Sequence, residues 1–584
     1  MNQTDANGTQ PTNGWPLFDS RIAFATISGF YDVQKNGSGT NYPWLGQYGW
    51  ESFISGIPHP TAINFAFGDN YLDATVKNTT ISNYRSKITF KTGVMDWYYT
   101  WSPPECAASF NISYTVIFSR LRPNVVAVRA SITPSNDING TMTDLLDGRS
   151  AVRSYLNDKG MDDNGNTIFT SVHPNGLANV TGYVVSGTNF SEAYTIASSR
   201  AAGSGLYVPQ NDTTISQAYT ITLKKEETAI FYKYVGVAST DKFPSAEATA
   251  REAQETAQAD GWDVLYNEHV IVWSQFMREE LIEDFRDPRT GKLPDNPKLM
   301  LMQIASWANT FYLGQNLMPD GSGLNDNSVS VGGLASDSYA GLIFWDADTW
   351  MGPGINIAFP AYSKQISNFR VKQYPQALEN ARFNGYPEGS ALYSWTAGRY
   401  GNCTGTGPCV DYEYHINYDI TSNLFQQNNI TKNSTWFNNG PRQVIESVAN
   451  MTENLLKYNE TTKTYWLHNM TDPDEYANNV DNGAFTVASA AKHLKLTNNL
   501  RLEQGLPIND LWEAQSQNIE FPRAASGITE EYTGMNNSVA VKQADVVLMT
   551  YPLDYSQNYT TANKLLDLDY VSLSIIAQFS TNNI

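Results

Sequence analysis

Two stretches of this chain carry the residue types that sugar chemistry needs. Gly341-Leu342-Ile343-Phe344-Trp345-Asp346-Ala347-Asp348-Thr349-Trp350 sets an indole beside a carboxylate, and Asp472-Pro473-Asp474-Glu475-Tyr476 gathers carboxyls on a tight turn. An indole offers a flat apolar face to a pyranose ring, and a fixed carboxylate accepts from its hydroxyls. Glycosidases usually place one carboxylic acid to protonate the leaving oxygen and a second carboxylate on the opposite face. In inverting enzymes the second group activates water, and the two sit ~6.5–9.5 Å apart. Glu475 is the candidate general acid. Asp472 and Asp474 beside it are expected to disfavour its ionisation, and Tyr476 with nearby aromatics to desolvate it. A purely structural reading competes at each place. Asp-Pro-Asp-Glu also describes a solvated turn or helix start, and Trp345-Asp346 a buried indole beside a helix cap. Lys542-Gln543 could hold sugar hydroxyls or sit on the solvated face of a helix running through Val546-Val547-Leu548.

Other chemistries find little support. The six histidines form no His-x-x-x-His pair or Cys/His cluster with zinc spacing, so no metal is expected. Glu413-Tyr414-His415 reads as pocket wall rather than a ligand set. No Gly-rich phosphate loop follows a strand and no Gly-x-Ser-x-Gly elbow occurs, so neither a nucleotide cofactor nor a serine nucleophile is expected. A net charge of −20 repels phosphate backbones and argues against nucleic acid as a partner. No run approaches the ~18 apolar residues of a membrane span. Dense Asn-x-Ser/Thr sequons, among them Asn78, Asn179, Asn402, Asn429 and Asn558, favour a secretory-pathway glycoprotein. Cys403 and Cys409 lie close enough in a Gly/Thr loop to close a small disulfide ring, whereas Cys106 has no obvious partner. The polar start Met1-Asn2-Gln3-Thr4-Asp5 lacks a signal peptide's basic and apolar regions, which raises the expectation of a missing N-terminus.

The elements that must position these residues fall into three regions. Residues 1–244 read as an N-terminal antiparallel β-sandwich domain, with strands at Tyr114–Phe118, Asn124–Ser131, Gly182–Val185, Tyr219–Leu223 and Ala229–Val237 between Gly, Asn, Asp and Pro turns. Residues 245–296 read as a helical linker, helical through Trp262–Glu283 and broken from Pro288 to Pro297. Residues 297–584 show helical patterns at Leu299–Asn316, Ile357–Gln373, Gln376–Asn384, Ile416–Gln427, Asn439–Leu456, Phe485–Leu496, Ile508–Gln517 and Lys542–Tyr551. Long loops rich in Trp, Tyr and Asp separate them, which suits a helical toroid with its loops gathered at one mouth.

The motifs together go further. Ser336-Asp337-Ser338-Tyr339-Ala340-Gly341 through Trp350-Met351 closely resembles glycoside hydrolase family 65, and within it the fungal acid trehalases. The resemblance continues through Tyr374-Pro375-Gln376-Ala377, Trp395-Thr396-Ala397-Gly398-Arg399, Cys403 to His415, Asp472 to Tyr476, Asp481 to Thr486 and Val541-Lys542-Gln543-Ala544-Asp545. Asn13 to Phe18 and Ser55-Gly56-Ile57-Pro58 resemble the family's N-terminal domain, so the likeness covers nearly the whole chain. It implies a multidomain α and β chain: a β-sandwich, a helical linker and an (α/α)6 barrel, here incomplete at the C-terminus. It implies inverting hydrolysis of the α-glucosidic bond of α,α-trehalose to two glucose molecules. Glu475 would be the general acid; Trp345, Asp346, Lys542 and Gln543 would hold the non-reducing glucose, with Trp395 and His415 as further pocket members. Extracellular, cell-wall or vacuolar residence goes with that resemblance.

The pattern departs from the family at both ends. An early Gly-Tyr-Ile-Gly-type strand is missing before Trp15, and after Leu566-Asp567-Leu568-Asp569-Tyr570 the chain soon stops where relatives continue. A chain truncated at both ends is therefore expected, with the general base in the absent C-terminal stretch and Glu413 a weak, structural substitute. Two other functions stay open: a disaccharide phosphorylase of the same architecture, and an inactive carbohydrate-binding fragment.

Overall fold

The computed structural model describes residues 23–34, 52–73, 76–162, 167–190, 197–198, 211–319, 322, 324, 327–335, 338–402, 404, 413–536 and 541–581. Cys403 and Cys409, with the disulfide expected of them, lie outside the described residues, while Cys106 is a free, half-buried thiol. The chain divides into two compact units. The first comprises Met1–Asn41, Ser52–Asn316 and Gly332–Gly341, and the second Tyr42–Glu51, Leu317–Val331 and Leu342–Ile584.

Alternating β-branched and aromatic residues build two antiparallel sheets in the first unit. The larger has eight strands in the order Ile81–Thr89, Val94–Trp101, Phe110–Phe118, Val125–Pro134, Ala229–Ser239, Gly182–Phe190, Thr167–Pro174 and Ser154–Met161. The smaller has five: Ala197–Ser198, Ile215–Leu223, Ile138–Asp147, His59–Phe67 and Asn70–Leu72. Both sheets contribute to one core, in which Phe65, Met142 and Tyr219 of the smaller meet Phe110, Val128 and Phe231 of the larger. The strands run longer than their sequence patterns suggested. Ladder hydrogen bonds hold flanking polar residues in register even where no apolar side chain marks them.

Lys233 and Asp144 face each other from the two sheets, 2.8 Å apart and fully buried. The remaining valences are met: Lys233 Nζ donates to the carbonyls of Ala62 (3.0 Å) and Leu145 (2.7 Å), and the Ser186 hydroxyl donates to Asp144 at 2.8 Å. Without those bonds two buried charges would destabilise the core.

The expected linker helix spans Ala246–Phe276, interrupted where Gly261 takes φ 80° and ψ 173°. It lies on the eight-stranded sheet through Ala257, Trp262 and Leu265 against Val125, Ala127 and Tyr234. Gly236 permits this approach, since a Cβ there would fall 1.8 Å from the Ala250 carbonyl oxygen. Pro297–Gly314, capped by the Asn296 side chain on the Lys298 N–H, also belongs to this unit.

In the second unit, Pro360–Lys372, Tyr374–Phe383, His415–Thr431, Pro441–Leu455, Ala484–Glu503 and Asp510–Gln517 are helical, as is Thr561–Thr581. Ile416, Leu424, Val444, Val448, Phe485, Val487 and Leu494 interlock in the core shared by His415–Thr431, Pro441–Leu455 and Ala484–Glu503. One expected helix does not form. Lys542-Gln543 is a bend, and only Val546–Met549 makes a short 3-10 turn. The reason is a remote partner: the Asp474 carboxylate takes the Lys542 N–H, and Asp545 of the segment takes the Asp474 N–H in return, so the segment is bound to the Asp474 turn in place of a helical ladder. Among the described residues no helix is long and apolar enough to cross a membrane.

Removing one member of the buried pair tests the account of the first unit. Lys233→Met leaves Asp144 uncompensated and should lower stability by about 3–5 kcal/mol in urea unfolding, with Lys233→Met/Asp144→Leu recovering much of it. A loss below about 1 kcal/mol for the single variant would show that the pair does not organise the core.

Candidate active site

An antiparallel bridge sets the two candidate indoles side by side. Ile343 and Ala397 exchange both backbone hydrogen bonds at 2.9 Å. Two residues along in opposite directions stand Trp345 and Trp395, which this register puts on one face. Their ring centroids are 6.4 Å apart with planes at 30°. His415, the first residue of its helix, projects between them, with ring centroids 5.1 Å from Trp345 and 5.0 Å from Trp395. Phe485, near the start of Ala484–Glu503, closes the nest at 5.8 Å from His415.

Two carboxylates hold the imidazole. Asp419, one helical turn on, lies 2.7 Å from His415 Nδ1, and Glu413 lies 3.5 Å from Nε2. Burial alone would push the imidazole down, but the Asp419 and Glu413 carboxylates outweigh it and push His415 up to about 10. The nest therefore contains an imidazolium packed against aromatic rings at neutral pH. Glu413 is buried and faces His415 without a close hydrogen bond, and burial pushes its own carboxyl up.

Asp346 stands at the cap position of the π-helical turn Ala347–Met351, yet its side chain makes no capping bond. The half-buried carboxylate is therefore not occupied as a helix cap, its backbone bond being to its own N–H. Burial pushes it up, with the Asp419 charge adding and the His415 charge opposing. Asp348 does structural work instead: it pairs with fully buried Arg370 at 2.6 Å, and Arg370 also reaches the Phe344 carbonyl at 3.2 Å. The segment bearing Trp345 is thus fixed on both sides. A π-type turn between those anchors is a geometry often found where side chains are aimed at a ligand.

Glu475 corrects one expectation. Its side chain is 45% exposed, and its partner is the Lys542 ammonium, which forms an ion pair with it. Asp472 and Asp474 face away from it into the interior. Asp472 accepts from the N–H groups of Phe485 (3.2 Å) and Thr486 (3.1 Å), and Asp474 accepts from those of Tyr476 (3.1 Å) and Lys542 (3.2 Å). Backbone N–H groups outcompete the neighbouring carboxyl, because helix ends and turns leave donors unsatisfied. Tyr476 is also largely exposed, with Lys542 Nζ 5.9 Å from its ring centroid, and so does not desolvate Glu475. Gln543 lies half-buried beside Lys542.

The structure thus brings Trp345, Trp395 and His415 together with Asp346 adjoining, and pairs Glu475 with Lys542. Asp472 connects the two groups, because the helix end it caps carries Phe485 into the nest. Residue patterns did not single out Phe485, Asp419 or Asp472 for these roles. For Asp419 a signal existed, the i, i+4 spacing from His415 in a predicted helix.

Comparison with known proteins gives a consistent picture. Residues 6–276 match "Glycosyl hydrolase family 65, N-terminal domain" and residues 308–518 match "Glycosyl hydrolase family 65 central catalytic domain". The "Acid trehalase" of Emericella nidulans is 42% identical over 575 residues, covering 96% of this chain and 54% of that protein. The "Cell wall acid trehalase" of Arthroderma benhamiae is 41% identical with the same coverages. The chain therefore spans about half the length of the curated relatives it matches. A solved structure described as "Putative kojibiose phosphorylase from human microbiome" superposes with a TM-score of 0.73 at 14% identity, over 93% of this chain and 73% of that one.

The charge on His415 can be measured directly. Its folded-state value lies above the ordinary one, so its stabilising contribution is complete below about pH 6.5 and is lost as pH rises through about 10. Imidazole NMR should find His415 protonated from about pH 5 to 8, and Asp419→Asn should bring its titration toward that window. Wild-type titration near pH 6.5 would contradict the assigned geometry.

Proposed function

The chain belongs to glycoside hydrolase family 65, and we propose that it acts on α,α-trehalose, hydrolysing the α-glucosidic bond with inversion to give two glucose molecules. The observation that carries this reading is a carboxyl–ammonium couple, Glu475 and Lys542, on segments tied through Asp472 to an aromatic nest with an uncommitted carboxylate. The names of the fungal relatives support trehalose as the substrate.

In this reading Trp345 and Trp395 form the apolar wall against one glucose, and Asp346 accepts from its hydroxyls. The His415 imidazolium polarises the pocket floor and keeps the indoles apart at a fixed spacing. Lys542 and Gln543 offer donors to the sugar. An ammonium on Glu475 stabilises its carboxylate, so proton donation requires Lys542 to turn toward a sugar hydroxyl and leave Glu475 to take up a proton. Substrate binding and arming of the acid are then one event. Glu413 is buried against His415, and no described residue is assigned as the water-activating base.

The finer architecture belongs to the same proposal: a β-sandwich over 1–244, a linker over 245–296, and an (α/α)6 barrel over 297–584. So does residence in the secretory pathway, at the cell wall, outside the cell or in a vacuole. The printed names of the Arthroderma benhamiae and Candida albicans relatives support a cell-wall location. Exposed sequon residues Asn78, Asn179 and Asn429 are open to glycosylation, whereas Asn402 is buried.

Glucose release from trehalose, with and without phosphate, tests the reaction. Hydrolysis should proceed equally in both, and Glu475→Gln should lower its rate by roughly 10²–10⁴ with the fold retained. Turnover that requires phosphate, or activity surviving in the variant, would overturn the assignment.

A further inference from the structure

Beneath the Glu475–Lys542 couple lies a group of buried carboxyls that the reaction does not use. Asp472, Asp474 and Asp545 are 0–1% exposed and Glu531 is 5% exposed. Asp474 bonds the backbone of both functional segments, through the N–H of Tyr476 and the N–H of Lys542. Asp545 accepts the Asp474 N–H at 3.3 Å. The Glu531 carboxyl lies within electrostatic reach of the Asp474 and Asp472 carboxyls, and its own carbonyl accepts from the Ala484 N–H at 2.8 Å, at the start of the helix capped by Asp472. Glu531 Oε2 and Asp545 Oδ1 are buried with no partner.

The elements facing Glu531 supply few compensating charges. The acid segment brings Asp472, Asp474 and Glu475; the sugar-binding segment brings Lys542 and Asp545; its own loop brings Glu530 and Tyr532. Lys542 is engaged with Glu475 at the exposed edge, and the His415 imidazolium acts on Asp472 from the nest side. Among the described residues no group of three or more potential ligands is arranged to hold a metal ion. Buried, mutually repelling carboxylates without a counter-charge are too costly to persist, so protons must occupy some of these oxygens.

We propose that this proton-sharing carboxyl cluster clamps the Glu475 and Lys542 segments together, with Asp474 as the positioning residue and Glu531 as the partner whose ionisation opens the clamp. Burial pushes Glu531 up to about 8, with the charges of Asp474 and Asp472 adding. Burial also pushes Asp545 well above the carboxylate range. For Glu531 the folded state binds the extra proton, so its stabilising contribution is complete below about pH 4.3 and is lost as pH rises through about 8, where the clamp itself opens. Ionised Glu531 would sit against Asp474, weakening its hold on the two backbone N–H groups. This inference rests on the reading of Glu475 and Lys542 as the sugar-handling couple.

Hydrogen exchange of the full chain tests it without requiring turnover. Protection of the peptides spanning 472–480 and 541–549, corrected for intrinsic exchange, should fall roughly tenfold between about pH 5.5 and 8.5. Glu531→Gln, which cannot ionise, should keep protection within about twofold over that range. Asp474→Asn, which loses one acceptor oxygen, should lower it at both pH values. If wild type and Glu531→Gln fall alike, or wild type does not fall, the clamp is refuted. Calorimetric titration with glucose at about pH 5.5 separates the two readings. Absent binding with the exchange pattern intact counts against the sugar site, while the pattern itself supports the clamp.

Discussion

Asp472 is the residue through which the two halves of the second unit's candidate site are joined. Its carboxylate sits against the amino end of Ala484–Glu503, bonded to the N–H groups of Phe485 and Thr486. Helix ends carry unsatisfied donors and a partial positive charge, so a carboxylate there replaces lost water contacts and gains electrostatically. Gly483 makes the fit possible, since a Cβ at that position would lie 2.5 Å from the Asp472 carboxyl carbon. Through this contact the turn carrying Glu475 and the helix carrying Phe485 become one rigid body. Burial pushes Asp472 up to about 6, opposed by its bonds to Thr486 and by the His415 charge. The cap is therefore strongest once that carboxyl is ionised.

Around this contact the site combines two electrostatic regimes. On the nest side, an imidazolium is kept charged by two carboxylates although it is wholly buried. On the turn side, four buried carboxyls gather with no cation among them in the described residues, and burial holds several above the ordinary range. Beside them stands the Glu475–Lys542 couple, a carboxylate and an ammonium that meet in contact with solvent. Ligand hydroxyls can compete for a half-exposed pair far more readily than for a buried one, because the pair's Coulomb energy there is small. A rigid buried frame with a labile exposed couple suits an acid that must change protonation state during its cycle.

Much of this was legible in the sequence, for identifiable reasons. Trp345-Asp346, Glu475 and Lys542 stand in motifs dense enough to mark a family, and the apolar periodicity around Ile416–Gln427 marked the helix His415–Thr431 to within a few residues. The strands of the first unit were visible where β-branched residues alternate. What stayed hidden depends on contacts distant in sequence. Asp474 and Asp545 are 71 positions apart, and the helical pattern over Lys542–Tyr551 gave no sign that a remote carboxylate would take its first N–H. The pairing of Lys233 with Asp144 was equally invisible, since the two residues are far apart in sequence and lie in strands of different sheets. Local acidity also misled: Asp472 and Asp474 stand next to Glu475 in the chain but point away from it, because turns and helix ends supplied better partners.

The most direct test of this dependence is the affinity of the chain for glucose when Asp472, which lines no part of the proposed sugar surface, is made asparagine. Calorimetric titration of Asp472→Asn, with helix content retained, should show affinity weakened at least about tenfold as the acid turn and the nest come apart. Unchanged affinity would show that the two halves of the site hold their places without this contact.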